Sequence, residues 1–177
     1  MKTKKIRAKM CKVCKKVFQP ERPFQPCCQI SCAIAYVNVE KKKHQRKVDK
    51  KTRDKLKTRQ MWLREAQVAF NAYIRARDGN WCISSQRIIP GQTQAGHFYT
   101  TAARPDLRFN EDNCHSQSVT DNQHKSGNIN EYRPALIEKI GQERVDALEI
   151  VGYSGWSIDE IIAIRDKYKA KLKNLNT

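Results

Sequence analysis

A chain of 177 residues with 35 Lys and Arg against 18 Asp and Glu carries a formal charge of +17, and it is long enough for one compact domain or a small one with appendages. That imbalance favours a polyanionic partner, most often DNA or RNA. No run approaches the roughly eighteen apolar residues of a spanning helix, and the start, MKTKKIRAKM, lacks an apolar stretch after its charges, so no membrane partner and a cytoplasmic location are expected.

Residues 1–60 hold twenty Lys and Arg and four Asp and Glu, which leaves the remainder nearly neutral. Within residues 1–36 the cysteines read CKVC, then a Pro-containing stretch, then CCQISC. Paired cysteines at such short spacing can each turn two sulfurs toward one edge of a Zn²⁺ tetrahedron. Cys11, Cys14, Cys28 and Cys32 are the expected zinc ligands, with Cys27 the spare. A segment this basic has little apolar material with which to bury thiols, so zinc is expected to fold it. Residues 37–60 follow as a basic arm, either a solvated helix or a charged linker. Lys41, Lys42, Lys43, Arg46 and Lys47 are its candidate nucleic-acid contacts.

From residue 61 the pattern changes, because Trp62, Ala66, Phe70 and Tyr73 recur at helical spacing. Residues 80–100 lose that periodicity and suit a hairpin, with Pro90-Gly91 as punctuation and His97 on the second strand. Residues 105–128 are polar and turn-rich, closing a domain over 61–133. Residues 134–177 form a helical tail, with Pro134 near a helix start and Gly141 between two short helices. The Ser157-x-x-Glu160 spacing is that of a capping box before a last helix reaching about Leu172. The expected class is α+β: a zinc knuckle, a basic helical arm, a small mixed domain and a helical tail.

A strand His, an Asn near the start of a following helix and a further His or Asn along it resemble the HNH, or ββα-metal, nucleases. In such a site a His takes a proton from water while a divalent metal stabilises the scissile phosphate. The wider run AGHFYTTAARPDLRFNEDNCHSQ, with DNQHKSGN and EYRPALIEKIGQERVD, resembles the NinG (Rap) family of lambdoid phage recombination proteins. That resemblance extends over the cysteine knuckle, the basic arm and the last helix. It implies a metal-dependent, structure-selective DNA endonuclease acting on branched recombination intermediates such as Holliday junctions. It also implies His97 as general base and Asn113 and Asn122 as ligands of a catalytic Mg²⁺ or Mn²⁺, with His115 a second-rank catalytic candidate and Lys125 a DNA contact. Symmetric cutting of a four-way junction would need two active sites and hence a homodimer.

The chain departs from that family at four positions. Two Cys-x-x-Cys pairs that would form a second zinc site are represented by Cys82, Ser85, Ser118 and Asp121, a poor donor set for zinc. Gln94 stands where an Asp often precedes the Ala-Gly-His turn. These changes support an alternative, a catalytically impaired accessory protein that binds branched DNA. A zinc-dependent adaptor for protein partners is a third reading.

Overall fold

The computed structural model describes residues 6–153 and 155–175, as two compact units that divide between Lys57 and Thr58.

The first unit opens with two short antiparallel strands, β1 (Lys9–Met10) and β2 (Val17–Phe18), with Lys9 opposite Phe18. The turn between them closes through Cys11 N–H to the Lys16 carbonyl, 2.8 Å, and carries Lys15 at φ 62°. Helix α1 (Ile30–Lys55) then runs for 26 residues, and Cys32 is its one buried side chain. Straight-chain Lys, Arg, Gln and Glu without Gly or Pro favour a helix even with no packed face. The basic arm is therefore helical, and it begins inside the cysteine region rather than after residue 36.

The second unit is built on α2 (Arg59–Asp78), capped by the Thr58 side chain, and α5 (Ile158–Leu175). Trp62, Leu63, Ala66, Phe70, Tyr73 and Ile74 form the buried stripe of α2 and meet Ile161 and Tyr168 of α5. At the start of α5 the capping box is reciprocal: Glu160 Oε2 accepts from Ser157 N–H at 2.7 Å, and Ser157 Oγ accepts from Glu160 N–H at 3.2 Å.

Between them lie β3 (Trp81–Cys82), β4 (Arg87–Ile88), β5 (Gln94–His97) and β6 (Cys114–Gln117). The hairpin expected over 80–100 is confined to β3 and β4. His97 instead lies on β5, which pairs antiparallel with β6, so that His97 faces Cys114 and Gly96 faces His115. The reason is that both faces of this pair are covered. Ala95 and Cys114 pack with Phe70 and Tyr168, whereas His115 turns to Tyr132 of α3 (Ile129–Ile140). The edge of β6 is held as well: Ser116 N–H donates to Asp78 at 3.0 Å, and Ile83 N–H donates to the Ser116 carbonyl at 3.0 Å.

A short helix α4 (Gln142–Ala147) follows Gly141, which adopts φ 87°. Tyr132, Leu136, Val145 and Leu148 close a second core over Ile83 and Phe98. Helix α3 thus starts before Pro134, and it is part of the domain's core rather than of a tail. Among the described residues no helix is long and apolar enough to cross a membrane.

Candidate functional site

The knuckle gathers four sulfurs. The Sγ atoms of Cys11, Cys14, Cys28 and Cys32 all lie within 4.8 Å of one another. Tetrahedral zinc with Zn–S of about 2.3 Å sets its sulfurs about 3.8 Å apart. Cys14 to Cys28 at 3.5 Å and Cys28 to Cys32 at 3.9 Å bracket that edge. Burial raises the Cys11 thiol, but backbone N–H donors from Cys28, Val13 and Cys14 outweigh it and bring the thiol down to about 5. The Cys28 thiol is pushed up to about 12, first by its hydrogen bond with Cys14 and then by burial. Four sulfurs this close cannot all ionise without a cation among them. The donor set fits one zinc ion, and Cys27, although buried, stays outside it.

In the second unit, Nε2 of His97 lies 3.0 Å from the Arg108 carbonyl. A carbonyl only accepts, so Nε2 carries the proton and Nδ1 keeps a lone pair. Nδ1 is 3.7 Å from Cys114 Sγ, a long contact to a weak donor. Burial lowers the His97 pKa first, the hydrogen bond to the Arg108 carbonyl opposes it, and the nearby Arg108 charge lowers it further, so the neutral ring is favoured.

Asn122 sits in a π-helical turn, Thr120–His124, directly after β6. Its Nδ2 donates to Gln94 Oε1 at 2.7 Å, which ties the turn after β6 to the residue that precedes the Ala-Gly-His run. His97 and Asn122 both line one open cavity of about 530 Å³, with Thr101 and Gly127 on its walls. Gly96 is required by close approach: a Cβ there would stand 1.7 Å from Gln117 Oε1 and 3.0 Å from Asn122 Oδ1. Gln117 Nε2 reaches over the strand to Ser84 Oγ and the Gly127 carbonyl, tying the turn after β6 to the hairpin.

Three expected site residues are placed elsewhere. Asn113 is not at a helix start but precedes β6, wholly buried. Its Oδ1 accepts from Tyr99 N–H at 2.8 Å and its Nδ2 donates to the Tyr99 and Leu107 carbonyls. Those bonds consume its polar atoms, so it braces the loop after His97 and has no free oxygen for a metal. His115 points to the opposite face from His97, is 2% exposed, and is brought down to about 3 chiefly by burial. It does not line the cavity of His97. Lys125 is exposed, but its Nζ lies 3.2 Å from Asp121 Oδ1 and part of its charge is neutralised there.

Cys82, Ser118 and Asp121 do converge, as a hydrogen-bonded cluster. Cys82 Sγ lies 3.3 Å and Ser118 Oγ 2.7 Å from Asp121 Oδ2, and Asn128 Nδ2 donates to Oδ1 at 3.0 Å. Burial alone would raise Asp121, yet the donors from Ser118, Cys82, Lys125 and Asn128 hold it at about 2. Ser85 Oγ is buried and has no partner in this network. Sequence reasoning missed Arg108, whose contact with His97 is made by a backbone carbonyl and leaves no side-chain signal. The arm residues Lys41, Lys42, Lys43, Arg46 and Lys47 are all exposed on α1.

A family model described as "NinG: Bacteriophage Lambda NinG protein" matches residues 3–177. "Protein ninG" of Escherichia phage 933W is 42% identical over 185 residues, covering 93% of this chain and 92% of that protein. "Protein ninG" of Escherichia phage lambda is 51% identical over 122 residues, covering 68% of this chain and 60% of that one. The counterpart from Salmonella phage P22 is 48% identical over the same length. No solved structure matches the chain.

Proposed function

The chain belongs to the NinG family of lambdoid phage proteins, and from that premise we propose that it is a structure-selective DNA endonuclease of HNH type that acts on branched recombination intermediates in the host cytoplasm. The observation that carries this reading is the state of His97. Its Nε2–H is given to the Arg108 carbonyl, so a neutral ring with a fixed tautomer keeps on Nδ1 the lone pair that a base needs. Asn122, on the helical turn that follows the two strands, lines the same cavity as His97, and Gln94 is its hydrogen-bond partner.

Asn122 Oδ1 is a neutral amide oxygen, Gln94 Oε1 is engaged by Asn122 Nδ2, and none of the hydrogen bonds made by Gln94, Asn122 or His97 among the described residues involves a carboxylate. Mg²⁺ and Mn²⁺ ordinarily enter through one or two carboxylates with substrate phosphates and water. Of these groups Asn122 Oδ1 would enter the ion's shell, DNA phosphates and water would complete it, and His97 Nδ1 would stay outside it as the base. When bound, such an ion would stabilise charge on the scissile phosphate and the leaving oxygen. His97 would take the proton from the attacking water, and Asn113 would hold the loop that sets the distance between the ring and the cavity wall. The exposed lysines of α1 would grip the backbone without reading sequence.

The Gln94–Asn122 amide pair also favours a second reading, in which branched DNA is bound but not cut. One experiment separates them. A labelled four-way junction is incubated with the protein and Mg²⁺ or Mn²⁺, beside His97→Ala. Cleavage by the parent and a loss of ~10²–10⁴ in rate for the variant, with junction binding unchanged within a few-fold, supports the nuclease. Binding without cleavage by the parent in either metal leaves the accessory reading.

A further inference from the structure

Several arginines of the second unit are placed among carboxylates. Arg77 meets Asp78 at 2.8 Å, Arg104 meets Asp106 at 2.6 Å, and Arg165 meets Asp166 at 2.8 Å and Glu65 at 3.2 Å. Each of these guanidiniums is stabilised in its charged form. Arg108 is different. It is half-buried, yet its hydrogen bonds go to neutral oxygens, Nη1 to Gln67 Oε1 at 3.2 Å and Nη2 to the Thr101 carbonyl at 3.4 Å. Burial disfavours its charge, and the charge on its neighbour Arg59 disfavours it further.

Arg59 deepens the imbalance. It is exposed at the first position of α2, where its Nε donates to the Trp156 carbonyl at 3.0 Å, and the first turn of α2 holds no acidic residue. The positive end of a 20-residue helix, an arginine upon it and a second, half-buried arginine thus stand together, with neutral hydrogen-bond partners only among the described residues. A guanidinium carrying five donors in a planar fork matches a phosphate. Two features join Arg108 to the candidate site: its own carbonyl holds His97 Nε2, and Thr101, which accepts from its guanidinium, lines the same cavity as His97.

We propose that Arg108, with Arg59 beside it, forms a binding site for a phosphate group of the DNA backbone immediately next to His97. The proposal rests on the nuclease reading for the identity of its ligand and deepens it. It gives Arg108 two separable parts, a backbone that fixes the His97 tautomer and a side chain that places the phosphodiester within reach of that ring. Substitution of the side chain leaves the carbonyl in place.

The test pairs variants of the full chain with chemically altered DNA, in binding assays without divalent metal. Branched DNA duplexes carry one neutral methylphosphonate at successive positions around the branch. The parent is expected to lose about tenfold in affinity when one particular phosphate is neutralised, the worth of one charge-assisted hydrogen bond. Arg108→Gln is expected to bind the unmodified DNA about tenfold more weakly and to show no further loss at that position. A merely structural role for Arg108 would weaken binding at every position alike. Arg59→Gln, an exposed change that leaves the core intact, is expected to halve or more the penalty at the same phosphate. If Arg108→Gln and Arg59→Gln both keep the parent's full penalty at every position, the proposal is overturned. If the coupling is found but the parent cuts in neither Mg²⁺ nor Mn²⁺, the phosphate site stands and the nuclease reading falls. If the parent cuts and no position couples to Arg108, the nuclease reading stands and the phosphate site falls.

Discussion

His97 and His115 lie on neighbouring strands but turn to opposite faces, and the environment of each decides what it can do. His115 is packed against Tyr132, with Nδ1 3.2 Å from the phenol oxygen. Its folded pKa of about 3 against an ordinary 6.5 means that the unfolded chain binds the extra proton first as pH falls. Stability therefore rises with pH across that interval and is lost on acidification through it, by up to about 1.4 kcal/mol per pH unit. His97, also lowered, adds to the same slope. Asp78 and Asp121, held at about 2, lose their contributions only at more acid pH. Denaturant titrations between pH 6.5 and 4.5 should show falling stability, and His115→Gln should reduce the slope by about one proton; an unchanged slope would show that His115 is not buried neutral. Asp121 is the other buried residue whose removal should be felt. Its side chain is 3% exposed and accepts from Cys82, Ser118, Asn128 and Lys125. Asp121→Ala leaves those donors without their acceptor and is expected to cost about 2–4 kcal/mol in urea unfolding.

Among the elements, the knuckle has the least apolar support. Its buried cluster is made of Cys11, Cys27 and Cys32 with a few half-buried neighbours such as Phe18 and Tyr36, too little to offset the chain entropy of ordering the turn and the loop. Zinc held by the four sulfurs would supply that deficit, because a closed thiolate site contributes folding energy directly. One tightly held zinc per chain is expected by elemental analysis. Cys28→Ser should lose it, whereas Cys27→Ser should retain it, and the reverse result would reassign the ligand. The β3–β4 hairpin is held to the turn after β6 by the Cys82–Asp121–Ser118 hydrogen bonds, in the absence of enough thiolates for a metal there. A polar cluster of this kind stabilises only while each member is satisfied.

At the scale of the whole molecule the charge is divided as the chain is. The first unit carries nearly all of the excess, with its lysines and arginines exposed along α1 and only Glu40–Lys43 and Lys57–Asp54 as ion pairs recorded among its described residues. The second unit is nearly neutral, and several of its lysines and arginines meet carboxylates of the same unit. DNA affinity should therefore depend steeply on salt, with a log–log slope of about −0.9 per neutralised phosphate and at least about five such contacts. Replacing Lys42, Lys43, Arg46 and Lys47 with Gln should flatten that slope by about three to four units and weaken linear and branched DNA alike. A slope unchanged by the four substitutions would remove α1 from the DNA interface.

The sequence by itself determined the parts that depend on short spacing or on composition. Four cysteines in two close pairs could only converge, the apolar stripe of α2 had a single helical reading, and Ser157 with Glu160 marked the start of α5. It did not reveal β6. Cys114, His115, Ser116 and Gln117 look like a polar loop, yet all four are buried, because α2 covers one face of the strand and α3 the other. A strand enclosed on both sides shows no alternation from which it could be read. With β6 hidden, His97 was given the wrong strand partner and Asn113 a helix it does not occupy. The assignment of roles was likewise tertiary. Only the packed structure brings Asn122 to Gln94, spends Asn113 on the Tyr99 backbone, turns His115 away from the cavity and sets the Arg108 carbonyl on His97, since each of these contacts joins residues whose spacing along the chain follows no local period.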